Sequence, residues 1–378
     1  MCGIAGEIRL DGSYADAAVV ARMAEIMAPR GPDGSGVVAR GSVAFGHRRL
    51  KIIDLSEKAA QPMTDPELGL TIAFNGCIYN YPELRGELEG AGYRFFSHGD
   101  TEVILKAYHR WGAECVSRFH GMFAFAIVER DSGRIMLARD RFGIKPLYLS
   151  EKDGTIRFAS SLPALLAAGD VDTEIDREAL HCYMSFHAVV PPPRTILKGV
   201  RKLPPATVRV IEPDGTSHDR VYWSPPYERR GEDTGLSAQD WRDRVLEALR
   251  VAVRRRMVAD VPVGVLLSGG VDSSLIVGLL AEQGQTGLMT FSIGFEEAHG
   301  EKGDEFVYSD LIAKRFETDH HKIFVPAEDL MRHLPDAVRA MSEPMVSYDN
   351  IGFYLLSREV SKHIKVVQSG QGADEVFG

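Results

Sequence analysis

From Ile4 to Ser160 the apolar positions come in short runs rather than long stripes. VAFGHRRLKIIDL, LTIAFNGCIYN, GMFAFAIVE, IMLARD and IRFAS are rich in β-branched and aromatic residues and are bounded by Gly, Asp and Pro, which predicts strands. Two segments change period: one from Tyr81 carries Leu84 and Leu88, another from Asp100 carries Val103, Leu105, Ala107 and Tyr108, and both predict helices. Several short strands with few helices predict a layered β structure covered by helices, an α+β class. From Ala238 strand and helix patterns alternate. AQDWRDRVLEALRVAVRRRM carries Trp241, Val245, Leu249 and Val253 at helical spacing; VPVGVLLSGG, LMTFSIGF, HHKIFV and IKVVQSG read as strands between helices. That alternation predicts an α/β unit with a parallel sheet.

Between the two patterns Pro191, Pro192, Pro193, Pro204, Pro205, Pro225 and Pro226 crowd a stretch that ends in ERRGEDTGLS. Proline density predicts an interdomain segment over 191–237, separating domains at 2–190 and 238–378. A length of 378 residues agrees with two cores. The net charge of −9 argues against a nucleic-acid partner. Arg254, Arg255 and Arg256, the dense basic cluster, read as a solvated helix end. Cys2, Cys77, Cys115 and Cys182 form no CxxC pair, so neither a disulfide framework nor a zinc site is indicated. The absence of a leader pattern and of a long apolar run predicts a cytoplasmic protein with no membrane partner. A homodimer is allowed.

LLSGGVDSS is the most specific local pattern. An apolar strand ends at Ser268, Gly269 and Gly270, and Asp272, Ser273 and Ser274 open a helix, where exposed N–H groups and the helix dipole make an anion site. A plain tight turn would need one glycine and no serines. No lysine follows the glycines, so this is not a Walker loop. A second junction, SGQGADEVFG, supplies Asp374, which with Asp272 suits Mg²⁺ held through phosphate oxygens. SGGVDSS resembles the loop of the ATP pyrophosphatases, which cleave ATP between its α and β phosphates.

Cys2 directly follows Met1. MCGIAG, PRGPDG, GHRRL, FNGCIYN, GDTEVIL, HGMFAFAI and ARDRFGIKPLYL together resemble the glutaminase domain of N-terminal-nucleophile amidotransferases. Followed by LLSGGVDSS, they resemble the glutamine-hydrolysing asparagine synthetases. The resemblance implies an N-terminal-nucleophile hydrolase fold, then an ATP-pyrophosphatase domain, and a glutamine-hydrolysing carbon–nitrogen ligase using ATP and Mg²⁺. It implies that Cys2, exposed by removal of Met1, attacks glutamine, its α-amine taking the thiol proton. Asn75 and Gly76 would form the oxyanion hole, and Arg49, Ile52 and Asp100 would hold glutamine, Arg49 its α-carboxylate and Asp100 its α-ammonium. Leu267, Ser268, Gly269, Gly270, Asp272, Ser273, Ser274, Ile293, Ser369 and Gly370 would bind ATP, with Asp272 and Asp374 at the metal. Taken singly, an Arg in HRRL or an Asp at a helix start is a surface charge or a cap. Their joint occurrence with Cys2 favours the functional reading.

Two positions depart from the family pattern. Cys77 stands where a Glu is usual, and Gln371 where the second loop usually has an acid, which puts aspartate in doubt as the acceptor. HAVVPPPRTIL, FNGCIYN and SGQGADEVFG resemble the N-acetylglutaminylglutamine amidotransferase subgroup, so the favoured acceptor is such a dipeptide. The alternatives are asparagine synthesis from aspartate, a synthetase for a larger carboxylate, and a non-catalytic relative. In the family the second domain continues well beyond Gly378, so the resemblance also implies an incomplete synthetase half with exposed apolar surface.

Overall fold

The computed structural model describes residues 1–228, 231–296, 306–345, 347 and 349–377. Arg229 and Arg230 of the polar segment, and the terminal Gly378, lie outside the described residues. The chain divides into two compact units, Met1–Tyr227 with Ser342–Pro344, and Glu228–Met341 with Met345–Gly378.

The first unit has twelve strands: β1 (Gly3–Arg9), β2 (Gly34–Arg40), β3 (Val43–Arg49), β4 (Met63–Asp65), β5 (Leu70–Ile78), β6 (Gly121–Glu129), β7 (Ile135–Arg139), β8 (Tyr148–Lys152), β9 (Thr155–Ala159), β10 (Arg201–Lys202), β11 (Thr207–Ile211) and β12 (Ser217–Val221). They form two antiparallel sheets, ordered β10-β8-β9-β1-β3-β2 and β12-β11-β7-β6-β5-β4. Side-chain alternation shows how they stack. On β6, Phe123, Phe125 and Ile127 pack against the helices Tyr81–Gly90 and Asp100–Trp111, while Ala124 and Ala126 face the other sheet with Ala73, Ile4, Ile8, Phe45 and Phe158. Small residues on one sheet let the larger ones of the other interdigitate at native density. Helices Ala17–Ile26 and Leu162–Leu166 cover the far face through Val20, Met23 and Leu165. The result is the layered α+β arrangement expected, with β5, β6, β7 and β9 buried along most of their length while β2 and β12 are largely exposed.

The proline-rich stretch departs from expectation. Much of 191–237 is a working part of the first unit rather than an interdomain segment: β11 pairs with β7, from Val208↔Ala138 to Ile211↔Ile135, and β12 adds to it. Leu203 and Ile211 enter the core between the sheets, and Val208 the core beneath the helices. Pro204 and Pro205 precede β11, where a missing N–H breaks no ladder bond, so the prolines mark a strand start. The first unit accordingly runs through Tyr227 and does not end at 190.

The second unit holds β13 (Val263–Leu266), β14 (Met289–Phe295), β15 (Asp319–Val325) and β16 (Val366–Gln368), all parallel in the order β15-β14-β13-β16. From β13 the chain passes through helix Val271–Glu282 to β14 on one side, while β16 lies on the other. Strand order therefore reverses at the end of β13, where an open parallel sheet leaves a crevice for a ligand. Helix Ala238–Arg255 buries Val253 and half-buries Leu249 but leaves Trp241 43% and Val245 38% exposed. Among the described residues no helix is long and apolar enough to cross a membrane.

Candidate active site

In the first unit β1 brings Cys2 to the end of the space between the sheets. Ile4 and Ile8 face that space, and Cys2 shares their parity. Leu50 N–H donates to Cys2 Sγ at 3.3 Å, and Arg30 Nε donates to the Cys2 carbonyl at 3.3 Å. The PRGPDG turn lies against the end of β3, where a Cβ on Gly31 would sit 2.3 Å from the Arg48 carbonyl carbon. Glycine is required there by close approach.

FNGCIYN places an edge row of N–H groups. Phe123, opposite Gly76, donates its N–H to Asp140 Oδ2 (3.1 Å) and accepts from Asp140 N (2.8 Å) on the β7 side, so the peptide of Gly76 faces away from β6. In that outward row Phe74 N donates to Gln61 Oε1 at 2.8 Å, and Ile78 N to Asp100 Oδ2 at 3.0 Å. The N–H of Gly76 lies between them and has no partner among the described residues. Asn75 Nδ2 reaches Ser160 Oγ at 3.4 Å, a hydroxyl that also accepts from Ile4 N at 3.0 Å, two residues from Cys2. Asn75 Oδ1 is buried without a partner among the described residues. Whichever way the amide is turned, one polar end is left for a ligand.

Arg49, the last residue of β3, donates Nη1 to Ser56 O at 2.8 Å and Nη2 to Asp54 O. Asp54 Oδ2 accepts from His98 N at 2.7 Å, which ties this loop to the start of helix Asp100–Trp111. Arg49 and Asp100 are thus brought toward Cys2 by adjacent anchors, Leu50 and Ile78. Ile52 is half-buried on the loop after β3, three residues from Arg49. Burial raises the Cys2 thiol, with Asp100 adding to the rise and the Leu50 N–H, the terminal amine and Lys145 opposing it. Cys77 is pushed up further, by burial and then by Asp100.

Burial lifts Asp100 to about 7, against which the N–H groups of Ile78 and Thr101 and the Arg49 charge work only partly. The native state therefore holds a proton that the unfolded chain releases near pH 4, so stability falls as pH rises from about 4 to about 7. Asp100→Asn should raise the thermal midpoint at pH 8 while leaving it nearly unchanged at pH 4; a destabilised variant at pH 8 would contradict this assignment.

Sequence patterns gave no role to His47. It is fully buried, its ring pushed down to about 4 by burial, and its Nε2 lies 3.0 Å from Phe74 O, so the neutral ring donates to the row that presents Gly76. The GHRRL motif was visible; its partner, 27 residues away, was not.

In the second unit a cleft of about 880 Å³ opens at the end of β13. Leu267, Ser268, Gly270, Asp272, Ser273, Ile293, Ser369, Gly370 and Asp374 all line it, with Gln371. Gly269 and Ser274 stand behind it. Gly269 has φ +90°, and a Cβ there would meet Tyr308 Cβ at 2.5 Å; Ser274 Oγ is buried without a partner among the described residues. Ser268 Oγ bonds Ser273 Oγ at 3.0 Å and accepts from Gly270 N at 3.2 Å, closing the loop over the N-terminus of helix Val271–Glu282. The two loops touch: a Cβ on Gly370 would lie 2.8 Å from Asp272 Cβ. A network not foreseen supports them from behind, in which Ser292 Oγ donates to Leu267 O and His320 bonds Thr290 Oγ1 at 2.9 Å and Ser309 Oγ at 3.3 Å.

Residues 1–223 match the family described as glutamine amidotransferase domain, and residues 244–378 match asparagine synthase. The chain belongs to the asparagine synthetase family. Glutamine-hydrolyzing asparagine synthetase 1 of Bacillus subtilis (strain 168) is 38% identical over 381 residues, covering 100% of this chain and 58% of that relative. A putative glutamine-hydrolyzing asparagine synthetase 2 of Methanocaldococcus jannaschii is 34% identical, covering 100% of this chain and 75% of its own length. Among solved structures, a glutamine phosphoribosylpyrophosphate amidotransferase from B. subtilis complexed with ADP and GMP is 15% identical at a TM-score of 0.47, covering 88% of this chain and 92% of that one. The chain spans 58% and 63% of the length of two B. subtilis asparagine synthetases that it matches.

Proposed function

We propose that this protein is an ATP-dependent glutamine amidotransferase: the first unit hydrolyses glutamine at Cys2, and the second activates a carboxylate as its adenylate for amidation. The observation that carries the reading is the free Gly76 N–H and the half-satisfied Asn75 amide beside the Cys2 end of β1, where a tetrahedral oxyanion would need donors. The thiol proton passes to the Cys2 α-amine, the sulfur attacks the side-chain amide carbon, and the α-ammonium returns the proton to the departing ammonia. Arg49 pairs with the α-carboxylate of glutamine, Asp100 with its α-ammonium, and Ile52 lines the same pocket. An incoming ammonium favours ionised Asp100, so glutamine binding releases a proton below about pH 7.

In the second unit the Ser268–Ser274 loop receives pyrophosphate oxygens on N–H groups and hydroxyls. Asp272 and Asp374 both line the cleft and, as hard oxygen donors few in number, fit a Mg²⁺ that keeps phosphate and water ligands. When bound, that ion would neutralise charge on the phosphates. The products are then an amide, glutamate, AMP and pyrophosphate, in the cytoplasm. Asp272→Asn should lower Mg²⁺-dependent ATP–pyrophosphate exchange in the full-length enzyme by roughly 10²-fold or more. ADP as the main nucleotide product would refute this reading of the loop.

The acceptor we favour is an N-acetylglutaminylglutamine-type dipeptide, because Gln371 lines the cleft and cannot take a proton from ammonia. Asparagine synthesis is the second reading, favoured by the names of the relatives. Competition between dipeptide and aspartate at equal concentration decides: preferential amidation of aspartate would overturn the dipeptide assignment.

A further inference from the structure

The ARDRFGIKPLYL motif has no task in the chemistry above, yet its turn is held from two sides. Asp140 Oδ1 accepts from Phe142 N (3.2 Å) and Ile144 N (2.9 Å), and Oδ2 accepts from Lys145 N (2.9 Å) and Phe123 N (3.1 Å). Arg139 donates Nε to Lys145 O (2.8 Å), Nη1 to Leu203 O (2.6 Å) and Nη2 to Gly143 O (2.7 Å). These bonds fix the backbone of one residue, Lys145, whose side chain is turned inward and only 3% exposed. A buried ammonium is costly unless a carboxylate or several acceptors compensate it. Compensation here is partial: Asp140 acts on the Lys145 charge, but its carboxylate oxygens are taken up by N–H groups, and the bond made by Lys145 Nζ is to Met1 Sδ at 3.0 Å, a weak acceptor on the residue preceding Cys2.

We propose that Lys145 supplies the positive charge that faces the Cys2 sulfur, holding the thiolate once Met1 is removed. The inference rests on the glutaminase reading. Burial, and then Arg30, bring the Lys145 ammonium down to about 8, so near pH 7 it carries its charge: the thiol proton goes to the α-amine, the sulfur keeps the electron pair, and no bond forms to the lysine. The charged and titratable groups around this end are the terminal amine, Arg30 and Asp33 of the turn before β2, Cys77 of β5, Asp100 of the helix start, Asp140 and Lys145 itself. Toward the thiol, Asp100 acts against ionisation and the amine and Lys145 act for it. Cys77, where a carboxylate is usual in the family, leaves the lysine free of a neutralising partner on β5.

The test is alkylation of Cys2 by iodoacetamide across pH in the N-terminally processed full-length protein, followed peptide by peptide so that Cys77, Cys115 and Cys182 are read separately. Lys145→Met should slow alkylation of Cys2 at pH 7 about tenfold, the difference from the parent shrinking above about pH 8 as the lysine of the parent loses its charge. Lys145→Arg should stay within about twofold of the parent. If the Met variant does not fold, Lys145→Gln gives the same comparison. An unchanged Cys2 profile in a folded Met or Gln variant overturns the proposal. Alkylation needs no glutamine, so this failure is distinct from failure of the glutaminase reading, which would appear as glutamate release surviving loss of Cys2.

Discussion

Cys2→Ala should reduce glutamate release from glutamine by roughly 10⁴-fold or more, because the reaction loses the atom that attacks and not merely a group that helps it. The structural cost should be small. Leu50 N–H loses an acceptor 3.3 Å away, a contact worth about 1 kcal/mol or less, and no core side chain is removed. Amide formation from added ammonia should continue in the full-length variant, since every residue assigned to ATP lies in the second unit. Glutamate release, amide formation from ammonia and the thermal midpoint, measured together, separate loss of the nucleophile from loss of the fold. Persistent glutamate release would move the assignment to another thiol, Cys77 first.

Gly76→Ala should also be damaging, for a steric reason. The added Cβ would lie 2.2 Å from Met122 O, 2.7 Å from the Phe74 ring and 2.8 Å from Phe123 Cα. Two of these atoms are backbone of the neighbouring strand, so no rotamer change relieves the contact, and β5 must move away from β6. Movement of that kind costs roughly 1–3 kcal/mol of stability. It also displaces the Gly76 N–H and the Asn75 amide together, which should lower kcat for glutamine hydrolysis by roughly 10²-fold to 10³-fold at temperatures where the variant is folded. Ammonia-dependent turnover should be spared. Glutamine turnover within twofold of the parent would show that this strand does not position the donors.

Local pattern carried much of the architecture. The strands β3, β5, β6, β7 and β9 were legible as short β-branched or aromatic runs bounded by Gly, Asp and Pro, and the helices from Tyr81 and Asp100 by the helical spacing of their apolar positions. The Ser268–Ser274 turn was legible for a related reason: glycine at φ +90° and serines at a helix start are demanded by the backbone of the turn itself. Where the signal was composition alone it misled, and the prolines of 191–226 concealed three strands, of which β10 and β11 pair with β8 and β7 far back in the chain.

What the sequence by itself determined, then, is which segments are strand or helix, which face each buries, and which short loops can meet an anion or present a thiol. Only the tertiary structure decided that the N–H of Gly76 has no partner among the described residues, that His47 and Asp140 fix the strands around it, that Gly370 packs on Asp272, and that Lys145 is buried with its charge only partly compensated. The physical reason is range. Secondary structure follows from interactions within a few residues, whereas each of these facts depends on atoms brought together from 17 to 144 positions apart, and the sequence pattern records that a group is buried without recording what it is buried against.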